Sequence, residues 1–155
     1  MRTGVAVIVT VLMLAGMAEA AGAATLTRTE SSLLTAMNEA RRAQGLRPLR
    51  ADGRLERAAR GHSSEMLRTD TFFHGAFSAR IRGVGVRAPR VGENLAWGVG
   101  ALSRARAIVN TWLASPAHRA NLLHGGYRIV GVGALRGTFG GHRGTLMITT
   151  DFAGR

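Results

Sequence analysis

The sequence predicts an α+β fold, on three observations. Apolar residues recur with a helical period through the first half of the chain, two β-like runs close it, and no strand–helix–strand alternation links them. A hydrophobic content of 46%, with Trp97, Trp112 and five Phe, belongs to a globular chain able to bury a core. No internal repeat interrupts the pattern.

The first segment is an export signal by composition. Arg2 supplies a positive start, and Val5 to Ala18 is an unbroken run of apolar or small residues. That run is shorter than the roughly twenty residues a membrane span needs. Ala18-Glu19-Ala20 and Ala21-Gly22-Ala23 both fit a small-x-small cleavage site. An uncleaved anchor is the alternative, but no positive cluster follows the run. The expectation is a secretory signal peptide over about residues 1–24 and a single domain over 25–155, secreted to the extracellular space or periplasm, with no membrane span in the mature form.

In the mature chain, Thr27 and Glu30 have the spacing of a capping box, and Leu33, Leu34, Met37 and Ala40 form the stripe of a first helix. Gly45 stands where a C-terminal cap glycine belongs, and Pro48 keeps residues 46–49 extended. Asp52 is a good N-cap for a second helix ending near Asp70; Leu55, Ala58, Ala59, His62 and Met66 share its apolar face, so His62 points inward. Residues 75–91, rich in Gly and Arg, read as one long irregular segment. Residues 91–98 are extended. A third helix is expected from Ser103 to Ala114, and Ser115-Pro116 has the form of an N-cap and first helical residue opening a short helix through Leu123. Residues 127–135 and 144–152 are β-like, joined through 137–143.

The charge is unusual. The formal net charge is +12, and all 21 basic residues are Arg. Such a balance attracts phosphate- or carboxylate-bearing polymers. The arginines are scattered and no aromatic-interleaved groove is visible, so dedicated nucleic-acid binding is not expected. Weak association with anionic envelope polymers is. Without cysteine, the chain gains no disulfides from an oxidising compartment.

Four side chains stand in settings suited to proton or metal chemistry: His62, His74, Glu93 and His118. His74 follows two Phe. Glu93 lies between Gly92 and Asn94, where a backbone free of bulk can turn a carboxylate inward. His118 sits in the first turn of the short helix, which favours the neutral imidazole that ligates a metal or accepts a proton. Two or three imidazoles and a carboxylate are a donor set for zinc with one open position; scattered histidines of this kind are more often structural. Gly61-His62-Ser63-Ser64-Glu65 is not a nucleophile elbow, since the second Gly is absent and a helix runs through it.

Several motifs in order carry a resemblance. They are His62-Ser63-Ser64-Glu65-Met66, Phe72-Phe73-His74, Gly92-Glu93-Asn94-Leu95, the stretch from Trp112 through His118 to Leu123, Tyr127 to Gly133, and Thr150-Asp151-Phe152. From Leu33 to Phe152 the chain resembles the CAP superfamily of cysteine-rich secretory proteins, antigen 5 and pathogenesis-related proteins (the SCP domain), in its cysteine-free bacterial branch. The resemblance implies an α-β-α sandwich around a small antiparallel sheet, with a central cleft. It implies that His74, Glu93 and His118 match the family's cavity His, Glu and His, and that His62 lines the same region. The second cavity Glu has no counterpart, because Ser115, Pro116 and Ala117 occupy its stretch. His124 replaces a Trp at the rim, and His142 falls in the hairpin loop as a solvated group.

The function this implies is a secreted, monomeric binding module. Its cleft would hold a small ligand (lipid or glycan) or a divalent metal such as Zn2+, with His74 and His118 as ligands and Glu93 auxiliary. Two other readings stand beside it: a metal-assisted hydrolase of peptide or cell-wall material with Glu93 as catalytic general base, and a purely structural envelope protein.

Overall fold

The computed structural model describes residues 25–154, so the expected signal peptide lies outside the described residues. Five helices, α1 (Arg28–Arg42), α2 (Gly53–Thr69), α3 (Phe77–Gly83), α4 (Ala105–Ala114) and α5 (Pro116–Leu122), surround four strands. These are β1 (Arg50–Ala51), β2 (Arg90–Gly98), β3 (Tyr127–Phe139) and β4 (His142–Gly154), and a 3₁₀ turn spans Gly100–Ser103. The sheet order is β1-β3-β4-β2, antiparallel except for the two-residue β1 beside β3. No described helix is long and apolar enough to cross a membrane.

Strand periodicity explains the layers. Successive side chains of β4 point to opposite faces, and every residue from Thr145 to Ala153 is buried, so both faces must be covered. Leu146, Ile148 and Phe152 join Val130 and Val132 of β3 in one core with Leu33 and Met37 of α1, Trp112 of α4 and Leu122 of α5. The alternate residues face α2: Met147 packs with Met66 and Leu95, and Ala153 with Leu55 and Ile81. The result is the expected α-β-α sandwich. Two glycines let α2 come close. A Cβ on Gly131 would lie 2.0 Å from the Leu55 carbonyl carbon, and one on Gly133 2.3 Å from that of Ala59.

The helix starts follow local chemistry. Thr27 and Glu30 form the reciprocal capping box at α1, and Asp52 accepts from Arg54 and Leu55 at α2. Arg41, fully buried, donates to the carbonyls of Leu122, His124, Arg47 and Tyr127, satisfying the end of α5.

The structure corrects the sequence reading in four places. Residues 75–91 are not irregular throughout: α3 forms there because Ile81 docks with Leu55, Val86 and Ala153, with Phe77 packed alongside. β1 is an added strand. The hairpin connection shrinks from 137–143 to Gly140-Gly141, whose φ of +54° and +78° suit a two-residue turn. His142 therefore begins β4, and its ring stacks on Trp97 at 6.1 Å rather than lying free in a loop.

Candidate functional site

β2 is an edge strand, and it carries the central group of the site. Glu93 shares a face with Leu95, looks toward α2 and α3, and pairs in register with Asp151 of β4. Gly92 is required beside it, since a Cβ there would lie 2.4 Å from the Tyr127 hydroxyl. Amide side chains tie the same segment to α5. Asn121 donates to the Glu93 carbonyl at 2.9 Å and to Asn94 Oδ1 at 3.0 Å, and Asn94 donates to the His118 carbonyl at 2.9 Å.

His74 reaches Glu93 from the segment between α2 and α3, its Nδ1 donating to Oε1 at 2.7 Å. The His74 side chain is 58% exposed while that of Glu93 is 1% exposed, so a buried carboxylate holds a solvent-facing imidazole. The other oxygen of Glu93 meets Nη2 of Arg80 from α3, which also lies 3.6 Å from Asp151 Oδ1. Two buried carboxyls thus share one guanidinium. Burial pushes Glu93 up to about 7, with Arg80 pulling it back. Burial likewise raises Asp151 to about 7; Arg80 opposes the rise and the facing Glu93 adds to it. Neither Asp151 oxygen has a hydrogen-bond partner among the described residues, which together with burial favours its protonated form.

His118 belongs to the same region. Burial holds it below the ordinary imidazole range, and the nearby His74 lowers it further, which favours the neutral ring. Its Nδ1 lies 2.8 Å from Ser115 Oγ. Ser115 precedes α5 as expected, but its hydroxyl orients this ring and makes no cap bond to the helix backbone.

His62 stands behind the site. Its buried ring donates from Nε2 to the Phe73 carbonyl at 2.8 Å, has Nδ1 3.2 Å from Glu65, and meets the Phe73 ring edge-on at 5.2 Å. Both nitrogens are occupied, so His62 positions the Phe73-His74 segment. His124 accepts from the Gly126 amide and stacks on Tyr127 at 4.6 Å.

The sequence brought forward His74, Glu93 and His118 but not Arg80 or Asp151. Asp151 had a signal: one acid in the otherwise uncharged run from Thr145 to Ala153. Arg80 had none, being one arginine of 21 in a segment read as loop.

The zinc that the resemblance implies can be set against the donors present. Among the described residues no group of three or more His, Cys, Asp or Glu is arranged to hold a metal ion. Both oxygens of Glu93 are taken by His74 and Arg80, and the guanidinium opposes a second cation beside it. The residues present do not fit a zinc centre.

Comparison with known proteins gives a consistent family. Residues 34–151 match the model of the cysteine-rich secretory protein family, CAP. The chain is 30% identical over 109 residues to YkwD of Bacillus subtilis, covering 67% of this chain and 41% of that protein. It thus spans well under half the length of this relative. An SCP-domain extracellular protein from Bacillus anthracis superposes with a TM-score of 0.69 at 26% identity, over 82% of this chain and 40% of that one. An outer surface protein from Borrelia burgdorferi gives 0.68 at 24% identity, over 79% and 90%. With the motifs in order, the sandwich in place and the match spanning most of its length, the chain belongs to the cysteine-rich secretory protein (CAP) family.

Proposed function

We propose that this protein is an exported CAP-domain binding module whose site at the β2 edge takes a small polar ligand through His74 and His118. The observation that carries this reading is the Glu93–His74 hydrogen bond of 2.7 Å. A buried carboxylate orients an exposed imidazole, fixing its tautomer so that Nε2 is the atom offered outward. The neutral His118 provides a second polar contact, and Arg80 keeps Glu93 from attracting a cation. An extracellular setting is supported by the signal-like first segment and by the extracellular Bacillus anthracis neighbour.

Imidazole resonances followed by NMR during titration with soluble cell-wall glycan fragments and short fatty acids test the proposal. Saturable shifts of both His74 and His118, lost in His74→Ala, are expected. Shifts that persist in that variant, or none with either ligand class, sink it.

A hydrolytic reading is favoured by one observation, the raised Glu93, which at neutral pH can both accept and return a proton. Turnover of a peptide and peptidoglycan panel that Glu93→Gln abolishes would support it; unaltered turnover would remove it.

A further inference from the structure

Away from this site, the fold gathers arginines that the sequence scatters. Arg50 of β1, Arg54 of α2, Arg87 of the loop after α3 and Arg128 of β3 line one cavity of about 580 Å³. Among the described residues no carboxylate lines it, although Asp52 pairs with Arg54 beside it. Two of the four guanidiniums are held in place. Arg54 is clamped by Asp52 at 2.9 and 3.2 Å, and Arg128 donates to the Tyr127 carbonyl at 2.8 Å. Arg50 and Arg87 are exposed and form no ion pair among the described residues. Pro89 and Ile129 supply an apolar wall.

We infer that this cavity is an anion site for a phosphate ester carrying a glycerol- or sugar-sized group. Guanidinium forks match phosphoryl oxygens bidentately, and pre-positioned ones lose little entropy on binding. Asp52 neutralises Arg54, which leaves Arg50, Arg87 and Arg128 without an acid partner among the described residues, and three such guanidiniums match a dianion better than a single carboxylate. The volume suits a small molecule or one polymer unit. A flat membrane surface would not enter a concavity, and no aromatic lines it for base stacking, which disfavours single-stranded nucleic acid.

Calorimetric titration with glycerol 3-phosphate at low salt tests the inference in the wild-type protein, in Arg50→Gln/Arg87→Gln, and in Arg42→Gln/Arg68→Gln. The last pair removes the same charge from exposed positions that do not line the cavity. Saturable binding weakened about tenfold or more by the first pair, and changed less than about twofold by the second, is expected. Equal weakening by both pairs would reduce the effect to diffuse attraction and overturn the site, as would unchanged binding in the first pair. Binding confined to phosphatidylglycerol vesicles or an oligonucleotide, with none to glycerol 3-phosphate, would overturn it too. A poly(glycerol phosphate) chain separates the two sources: tighter binding than the monomer marks a polymer ligand, equal binding a free ester. Arg87→Gln alone repeats the test should the double variant fold poorly.

Discussion

Replacing Asp151 by Asn should make the protein more stable than wild type at alkaline pH and leave it nearly unchanged near pH 4. Asp151 is buried, faces Glu93 across the β2–β4 register, and shares with it the single cation Arg80. Both acids are raised from the ordinary carboxylate range to about 7. In the unfolded chain each loses its proton near pH 4, whereas the folded pair holds a proton until about 7. Between those values the native state binds more protons, so stability is full below the unfolded pKa and falls as pH rises. A window of roughly three pH units at about 1.4 kcal/mol each bounds the loss at about 4 kcal/mol. Relaxation around a surface-proximal arginine reduces it, so a gain of about 2 kcal/mol for Asp151→Asn at pH 8 is expected. The amide imitates the protonated acid, so the two proteins should agree within about 0.5 kcal/mol near pH 4 and separate steadily above it. His118, lowered by burial, and Glu30 and Asp52, lowered by their arginine and backbone donors, bend both profiles alike on the acid side and cancel in the difference. Urea unfolding followed by tryptophan fluorescence between pH 4 and 8.5 measures it. Parallel profiles, or an Asn variant less stable at pH 8 than at pH 4 relative to wild type, would refute a buried Asp151 that holds its proton to about pH 7.

Three further outcomes follow from the same geometry. Gly133→Ala would place a Cβ 2.3 Å from backbone atoms of Ala59 and Arg60, forcing α2 off the sheet; a loss of about 2–4 kcal/mol in urea is expected, and a loss within error would show the contact is soft. Arg41→Met keeps the volume but strips the carbonyls of Leu122, His124, Arg47 and Tyr127 of their donor; at least about 3 kcal/mol should be lost, and near-wild-type melting would contradict the assignment. Zinc titration should give no saturable heat at micromolar protein, because Arg80 occupies Glu93; heat that His74→Ala removes would show that the cation displaces the guanidinium.

Much of this molecule was legible before folding was considered. The Thr27–Glu30 capping box and the Asp52 cap are contacts between residues two or three apart, so their spacing alone specifies them. The stripes of α1 and α2 and the alternation of β3 and β4 follow from the 3.6 and 2.0 periods in the same way. Where a short segment depends on distant partners, that reasoning fails. α3 has seven residues, too few to be stable alone, and exists because Ile81 finds Leu55 and Ala153. β1 exists only because β3 lies beside it.

The site divides along the same line. His74, Glu93 and His118 were found through ordered motifs, and Gly92 lies in one of them for a reason visible only in space, the Tyr127 hydroxyl 2.4 Å from its absent Cβ. Residue type and local spacing determined α1, α2, α4 and α5, the two closing strands and an extended segment with an inward-turned acid. Tertiary structure decided what that acid does. It set Asp151 opposite Glu93, brought Arg80 between them, turned His62 to the Phe73 carbonyl, and collected four scattered arginines around one cavity. Charge interactions depend on distance through space, and positions far apart in sequence carry no local mark of where the chain will bring them.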